Sequence, residues 1–198
     1  MALRDIKRRI RSVKNTSQIT KAMEVVSATK MRRSQEVALY GRPYALAALD
    51  ILKNVAGRIA EKPSLLQRRE VKKTLLLVIT SDKGLAGALN ANVLKNAESH
   101  INQYKVLRRP YILMAVGEKA KDYFERRDSI PLRSFWGYGD YSSLVETSEV
   151  ADAILAGFLD GSWDEVYAAY TNFRTTLLQE AVIKKILPAT GEGIDEAV

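Results

Sequence analysis

Residues 74–87 read Thr-Leu-Leu-Leu-Val-Ile-Thr-Ser-Asp-Lys-Gly-Leu-Ala-Gly, and this stretch decides the fold. A strand with one solvated face alternates apolar and polar side chains. Thr74–Thr80 does not alternate, so it predicts a strand buried on both faces, as at the centre of a parallel sheet. Ser81–Gly87 is then a turn, and an Asn-rich helix is expected from Ala88 to about Gln103. Downstream the pattern repeats. Pro110–Val116 predicts a second strand, Glu118–Arg126 a helix, Leu132–Phe135 a short third strand, Ser143–Leu159 a helix and Glu165–Tyr170 a fourth strand. A last extended pair surrounds Phe173-Arg174-Thr175 and ends with Ala181–Leu187 before Pro188. Alternation of this kind indicates an α/β domain with a mostly parallel sheet.

Upstream the character of the chain changes. The first forty residues contain no glycine or proline, and ten Lys or Arg stand against three acids there, which is seven of the eight net positive charges in 198 residues. Continuously helical at about 1.5 Å per residue, this run would make a rod of about 60 Å. Leu3, Ile6, Ile10 and Val13 repeat at three, four and three, the seam of a coiled coil. The next set, Thr16, Ile19, Met23 and Val26, begins one residue early, a stammer that locally overwinds a supercoil. The rod therefore carries a narrow apolar stripe that needs a partner helix. After Gly41 and Pro43, helical spacing resumes through Leu46, Leu49, Leu52, Val55 and Ile59, bent or continuous with the first part. Residues 60–72, with Pro63 and six charged side chains, read as a linker. The domains expected are a helix over 1–59 with a possible bend near 41–43, the linker, an α/β domain over 73–188 and an acidic, Gly-rich tail over 189–198.

Composition excludes several chemistries. There is no cysteine, hence no disulfide, thiolate nucleophile or Cys-ligated metal. The start lacks the apolar core of a secretory signal, and no run approaches the roughly 20 apolar residues that span a bilayer. Gly84 and Gly87 form a lone G-x-x-G, without the spacing of a dinucleotide fingerprint or a P-loop, so a tight strand-to-helix connection is the better reading than a phosphate cradle. His100 is the only histidine and has no H-x-x-x-H partner, so it reads as a surface residue rather than a metal ligand or triad member. Ser81 and Asp82 are expected to bond free backbone N–H groups around the turn rather than to act as catalytic groups. Trp136 and Tyr138, beside Gly137 and Gly139, suggest a packed lid more than a base-stacking platform. No catalytic residue, cofactor or metal site is expected. The basic rod exceeds what solubility requires and has no aromatic residue before Tyr40, unlike a membrane-surface helix, so an acidic protein cavity suits it best.

The run Ile6-Lys7-Arg8-Arg9-Ile10 through Val13-Lys14-Asn15-Thr16-Ser17-Gln18-Ile19-Thr20-Lys21-Ala22-Met23-Glu24 to Val26-Ser27-Ala28-Thr29-Lys30-Met31 resembles the amino-terminal helix of the γ subunit of F-type ATP synthases. The turn Ser81, Asp82, Gly84, Gly87, with Asn90 after it, is similar to that family's signature, and Asn172-Phe173 and Ile186-Leu187-Pro188 also correspond. The resemblance implies an α/β fold class: a long N-terminal helix, half of an antiparallel coiled coil, plus a Rossmann-like α/β domain. It also implies a non-catalytic central-stalk rotor that couples ion flow through a membrane ring to conformational change at the catalytic β subunits. The implied partners are the hexamer of α and β subunits, the ε subunit and the c-subunit ring, with no small-molecule substrate and no nucleic acid.

By resemblance, the subunit interface takes in Leu3, Ile6, Arg8, Ile10, Val13, Ile19, Lys21, Met23, Val26, Lys30, Arg33, Gln35 and Tyr40. The stretch around Lys21, Met23 and Lys30 is implied to pass an acidic loop of the β subunit, and Gln35 to Tyr44 to lie toward the c ring. The location implied is peripheral, at the cytoplasmic face of a bacterial inner membrane. Family members continue with a helix that pairs with the first, so a fragment, a partner helix from another chain, or a degenerate or split stalk protein that does not rotate are the alternatives for a chain that stops at Val198. A nucleic-acid-binding protein using the basic helix is the rival function. An enzyme on the α/β domain, sensitive to Asp82→Asn or His100→Ala, is a third.

Overall fold

In a computed structural model of the protein, residues 2–56, 58, 63–138 and 144–189 are described. The expected residues 59–62, Gly139, Ser143 and the tail from 190 onward lie outside them. Two compact units divide the chain, Met1–Tyr44 and Ala45–Val198.

Helix α1 runs Ala2–Ala56, through Gly41 and Pro43. Three of its threonine hydroxyls donate back to the preceding turn, Thr16 to Ser12 O, Thr20 to Thr16 O and Thr29 to Val25 O, each at 3.0 Å. That pattern satisfies a side chain that otherwise competes with the helical backbone. On the exposed face Arg32 and Glu36 pair one turn apart at 3.4 Å.

In the second unit, a five-stranded sheet has the order β3-β2-β1-β4-β5. Its strands are β1 (Thr74–Ile79), β2 (Tyr111–Val116), β3 (Arg133–Phe135), β4 (Glu165–Phe173) and β5 (Gln179–Leu187). β1 pairs in parallel with β2 and β4, β2 with β3 in parallel, and only β4–β5 is antiparallel. The helices are α2 (Leu89–Val106), α3 (Glu118–Glu125) and α4 (Leu144–Leu159).

The non-alternating β1 is explained by what lies on each side. Leu76 and Val78 join Leu113, Ala115 and Ala169 beneath α2 and α3, where Val93, Ala97, Ile101 and Phe124 are buried. Leu75 and Leu77 face the other way, with Met114 and Val166, against Ile154 and Phe158 of α4 and Trp163. Gly157 of α4 lies flat on Trp163: a Cβ there would come within 2.1 Å of the indole ring. β4 and β5 extend beyond the residues expected, Thr171–Phe173 and Gln179-Glu180 joining them, because these residues pair across the hairpin. That pairing is made by backbone groups and leaves little trace in either strand's own side-chain pattern.

Residues 63–73 lead into β1 by a single 3-10 turn, Ser64–Leu66, with Leu66 buried. The Ala189 N–H, after β5, donates to Leu65 O at 2.9 Å. Chain entry to the sheet and chain exit from it are thereby fastened together.

Candidate partner-binding helix and signature turn

On the Met1–Tyr44 unit, the seam is bare. Leu3 is 71 % exposed, Ile10 62 % and Val13 68 %, and Ile6, Ile19, Met23 and Val26 are also at least half open or nearly so. Helical spacing sets Leu3, Ile6, Ile10 and Val13 on one stripe. The stammer turns the second set, Ile19, Met23 and Val26, onto a neighbouring stripe of the same helix. Arg8, Lys21 and Arg33 are exposed beside these stripes, and Lys30 is half-buried. Tyr40 is exposed, whereas Gln35 is half-buried with its Nε2 enclosed and without a hydrogen-bond partner. Apolar surface flanked by cations, on a helix, can form a helix–helix contact bordered by acidic groups.

The turn after β1, residues 81–87, is built differently. The Ser81 N–H donates to Asn90 Oδ1 at 3.0 Å, Asn90 Nδ2 donates to Ser81 Oγ at 2.8 Å, and Ser81 Oγ donates to Lys83 O at 2.7 Å. These bonds fold the turn against the first turn of α2. Asp82 reaches across to two other segments, its Oδ1 accepting the Glu118 N–H and its Oδ2 the Gly137 N–H, both at 2.9 Å. One carboxylate therefore caps α3, where the helix dipole favours a negative charge, and holds the strand end after β3. Thr80 completes the junction, its Oγ1 accepting the Ala120 N–H at 2.9 Å. The expected capping of the turn's own N–H groups is not what forms: Ser81 Oγ donates to the Lys83 carbonyl, and Asp82 accepts N–H groups of α3 and Gly137 because the strand ends bring those segments beside it.

The glycines of the turn serve geometry. Gly87 has φ +57°, a left-handed conformation, and Leu85 adopts φ +62° with its side chain 96 % exposed. Beside it, Gly117 has φ +93°, and a Cβ there would lie 2.3 Å from Thr80 O.

A cleft of about 730 Å³ opens at the carboxyl ends of β1 and β2 toward α4, lined by Ile79, Asp82, Val116, Tyr138, Val150 and Ile154 among others. Burial and the nearby Glu149 push the Tyr138 phenol up. The Asp82 oxygens at the cleft's edge are both engaged by amides, which leaves this carboxylate poorly placed as a base. Tyr138 lines the cleft, while Trp136 is half exposed with Lys121 Nζ 3.9 Å from its ring centre. Among the described residues, no group of three or more His, Asp or Glu side chains converges to hold a metal ion.

His100 is not the surface residue expected. It is half-buried, its ring 4.9 Å from Tyr104 and 5.4 Å from Tyr167 of β4, with Nε2 enclosed and unpartnered. Burial pushes its pKa down. The same pocket of ring contacts raises the Tyr167 phenol to about 12, chiefly by burial. Sequence reasoning missed Arg69 and Asp164 altogether, which meet at the entry to β1 with Nε 3.6 Å from Oδ1.

Comparison with known proteins adds the family. A sequence model described as ATP synthase matches residues 2–197. The ATP synthase gamma chain of Chloroflexus aurantiacus is 42 % identical over 195 residues, covering 96 % of this chain and 67 % of the relative. That of Roseiflexus castenholzii is 43 % identical over 188 residues, covering 93 % and 65 %. The sodium ion specific ATP synthase gamma chain of Acetobacterium woodii is 40 % identical over 195 residues, covering 96 % and 62 %. The chain thus spans about two thirds of the length of the curated relatives it matches. Among solved structures, the central stalk and c ring of the Tetrahymena thermophila mitochondrial ATP synthase superposes with a TM-score of 0.65 at 22 % identity, over 91 % of this chain and 77 % of that one, a likeness of fold. The long helix and the mostly parallel sheet agree with these matches, and this chain belongs to the ATP synthase gamma chain family.

Proposed function

We propose that the chain is part of the rotating central stalk of an F-type ATP synthase, non-catalytic in itself, coupling ion flow through a membrane ring to conformational change in the catalytic β subunits. The observation that carries this reading is the bare seam on α1. Seven apolar side chains on its stripes stand open, and each removed from water would contribute at about 25 cal/mol per Å² buried. A second helix laid on Leu3, Ile6, Ile10 and Val13 supplies that burial, and the cations around it suit an acidic cavity formed by the α and β subunits. Arg8, Lys21, Lys30 and Arg33 are the residues proposed to meet acidic groups there. Gln35 and Tyr40 are proposed to lie toward the c ring, with the ε subunit as a further partner.

Such a part needs no active site. A cam drives its partners by making different contacts with each of their states, so that its rotation shifts which state each adopts. No cofactor or small-molecule substrate enters this reading. One relative is named as sodium ion specific, and the coupling ion proposed for this chain is a proton or sodium. Among the described residues no helix is long and apolar enough to cross a membrane. The placement proposed is peripheral, on the cytoplasmic face of a bacterial inner membrane.

Native mass spectrometry of the assembly that the endogenous gene product enters tests this directly. Release of the product from an assembly of α and β subunits is the expected result. A product found outside any such assembly, alone or with nucleic acid, overturns it.

A further inference from the structure

The covalent path from α1 to the central strand β1 runs through residues 57–73, and the start of β1 is held by a buried carboxylate, Asp164, paired with the exposed Arg69. Asp164, in the turn between α4 and β4, is 8 % exposed. Its Oδ2 accepts the Lys72 N–H at 2.9 Å and the Lys73 N–H at 3.1 Å, and its own N–H donates to Lys73 O at 2.9 Å. Arg69 pairs with the other oxygen at 3.6 Å, donates from Nη2 to the Phe158 carbonyl at the end of α4, and sets its guanidinium 4.2 Å above the fully buried Phe158 ring. Four segments meet here: the chain entering the sheet, the end of α4, the start of β4 and, through Leu65 and Ala189, the chain leaving β5.

We propose that Arg69 and Asp164 are positioning residues for rotary coupling, the tie that carries force between the polypeptide leaving α1 and the α/β domain. This inference rests on the rotor reading above. Its physical ground is the kind of bond used. A buried carboxylate is expensive to desolvate, and for stability alone an apolar plug in its place is often as good. Apolar burial is non-directional, so two greasy surfaces slide past one another at little cost until area is exposed. The bonds that Asp164 accepts from the Lys72 and Lys73 amides and that Arg69 donates to the Phe158 carbonyl are charge-assisted and directional, and the Arg69–Asp164 ion pair at 3.6 Å adds attraction between the charges. A pull along the entering chain would peel β1 from its amino-terminal end. That end is where Asp164 grips two successive amides and one carbonyl.

The test uses the assembled synthase carrying the full gene product with Arg69→Ala or Asp164→Asn. Two rates are read from each preparation: ATP hydrolysis by the hexamer and stalk released from the membrane, which works against no load, and ATP-driven ion pumping in sealed vesicles, which works against a growing gradient. The expected result is unloaded hydrolysis equal to the parent's with a severalfold loss of ions pumped per ATP, steepening as the gradient grows. A pumping ratio equal to the parent's at every gradient overturns the proposal. Should either variant fail to assemble, Arg69→Lys decides by the same ratio, since it keeps the positive charge while removing the guanidinium that faces Asp164 and bonds the Phe158 carbonyl. Glu70→Gln, which alters an exposed side chain that takes no part in the tie, should leave both rates unchanged. If the unaltered product itself neither assembles with α and β subunits nor supports pumping, it is the rotor reading that fails, whatever the variants do.

Discussion

α1 and the sheet it precedes are both rich in aliphatic side chains, yet they spend them in opposite ways. In the sheet, Leu75, Val78 and Val166 are wholly buried, while along the first forty residues of α1 the seam is open to water. Hydrophobic content therefore does not report what stabilises a segment; the partner surface does. The α/β unit brings its own partners, two layers of helices on one sheet. For α1 the seam is a demand on another helix, since a single helix draws most of its stability from packing an apolar face. A segment built this way is a component for assembly.

The contrast is widest for a matched pair of truncations. Phe158→Ala opens a cavity between α4 and β1 and removes the ring under Arg69, so it should cost the α/β unit about 3–5 kcal/mol in urea unfolding followed by tryptophan fluorescence. Ile10→Ala, by contrast, should change the stability of the free chain by no more than about 0.5 kcal/mol, because Ile10 is exposed and alanine is the better helix former. A loss above about 1 kcal/mol for Ile10→Ala would mean that the seam is already covered in the isolated chain, and the comparison would break.

Gly117→Ala asks how much the sheet unit depends on its signature turn. The new Cβ would be driven toward Thr80 O in a backbone conformation that L residues avoid. The strained conformation alone should cost about 1–3 kcal/mol. The loss should appear first as faster hydrogen exchange at the Ala120 amide, which Thr80 Oγ1 holds, and at the Glu118 amide, which Asp82 holds. Unchanged exchange at both amides would show that the junction tolerates the shift and that its rigidity lies elsewhere.

How far these properties were legible follows from whether their cause is local. The unbroken apolar run of β1 is set by burial on both faces, which is written into consecutive residues, so Thr74–Ile79 was readable as a central strand. The α1 seam is likewise periodic, and the Ser81–Asn90 pairing is local, whereas the partners of Asp82, Glu118 and Gly137, lie far along the chain and left no local sign. The strand order was not legible, because alternation of strands and helices fixes parallelism but not which side of β1 receives β4. Arg69 stands in a run of charges that reads as solvated linker, and its partners Phe158 and Asp164 come from the far side of the sheet sequence. Nothing in its neighbourhood announces a pairing with a buried carboxylate. His100 failed for the same reason: α2 looks polar around it, and the ring that covers it, Tyr167, belongs to β4.

His100 also gives the smallest effect, and it sharpens the comparison by pH. Its burial among Tyr104 and Tyr167 disfavours the imidazolium, so the folded-state pKa lies below 6.5 while the unfolded chain keeps the ordinary value. Between those two values the unfolded chain binds more protons than the folded one, so stability rises with pH across that window. The contribution is fully present above the unfolded value and is lost as pH falls toward the folded one. The slope cannot exceed about 1.4 kcal/mol per pH unit, the limit for one proton. Urea midpoints of the parent and of His100→Gln, measured on either side of pH about 6.5, should differ in their pH slope, with the variant flatter. α1 contains no histidine, so the helicity of its first forty residues should not follow this titration. Equal slopes for parent and variant would mean that His100 is hydrated despite its ring contacts; a helical signal from α1 that tracks the same titration would mean that the helix leans on the sheet unit for its order.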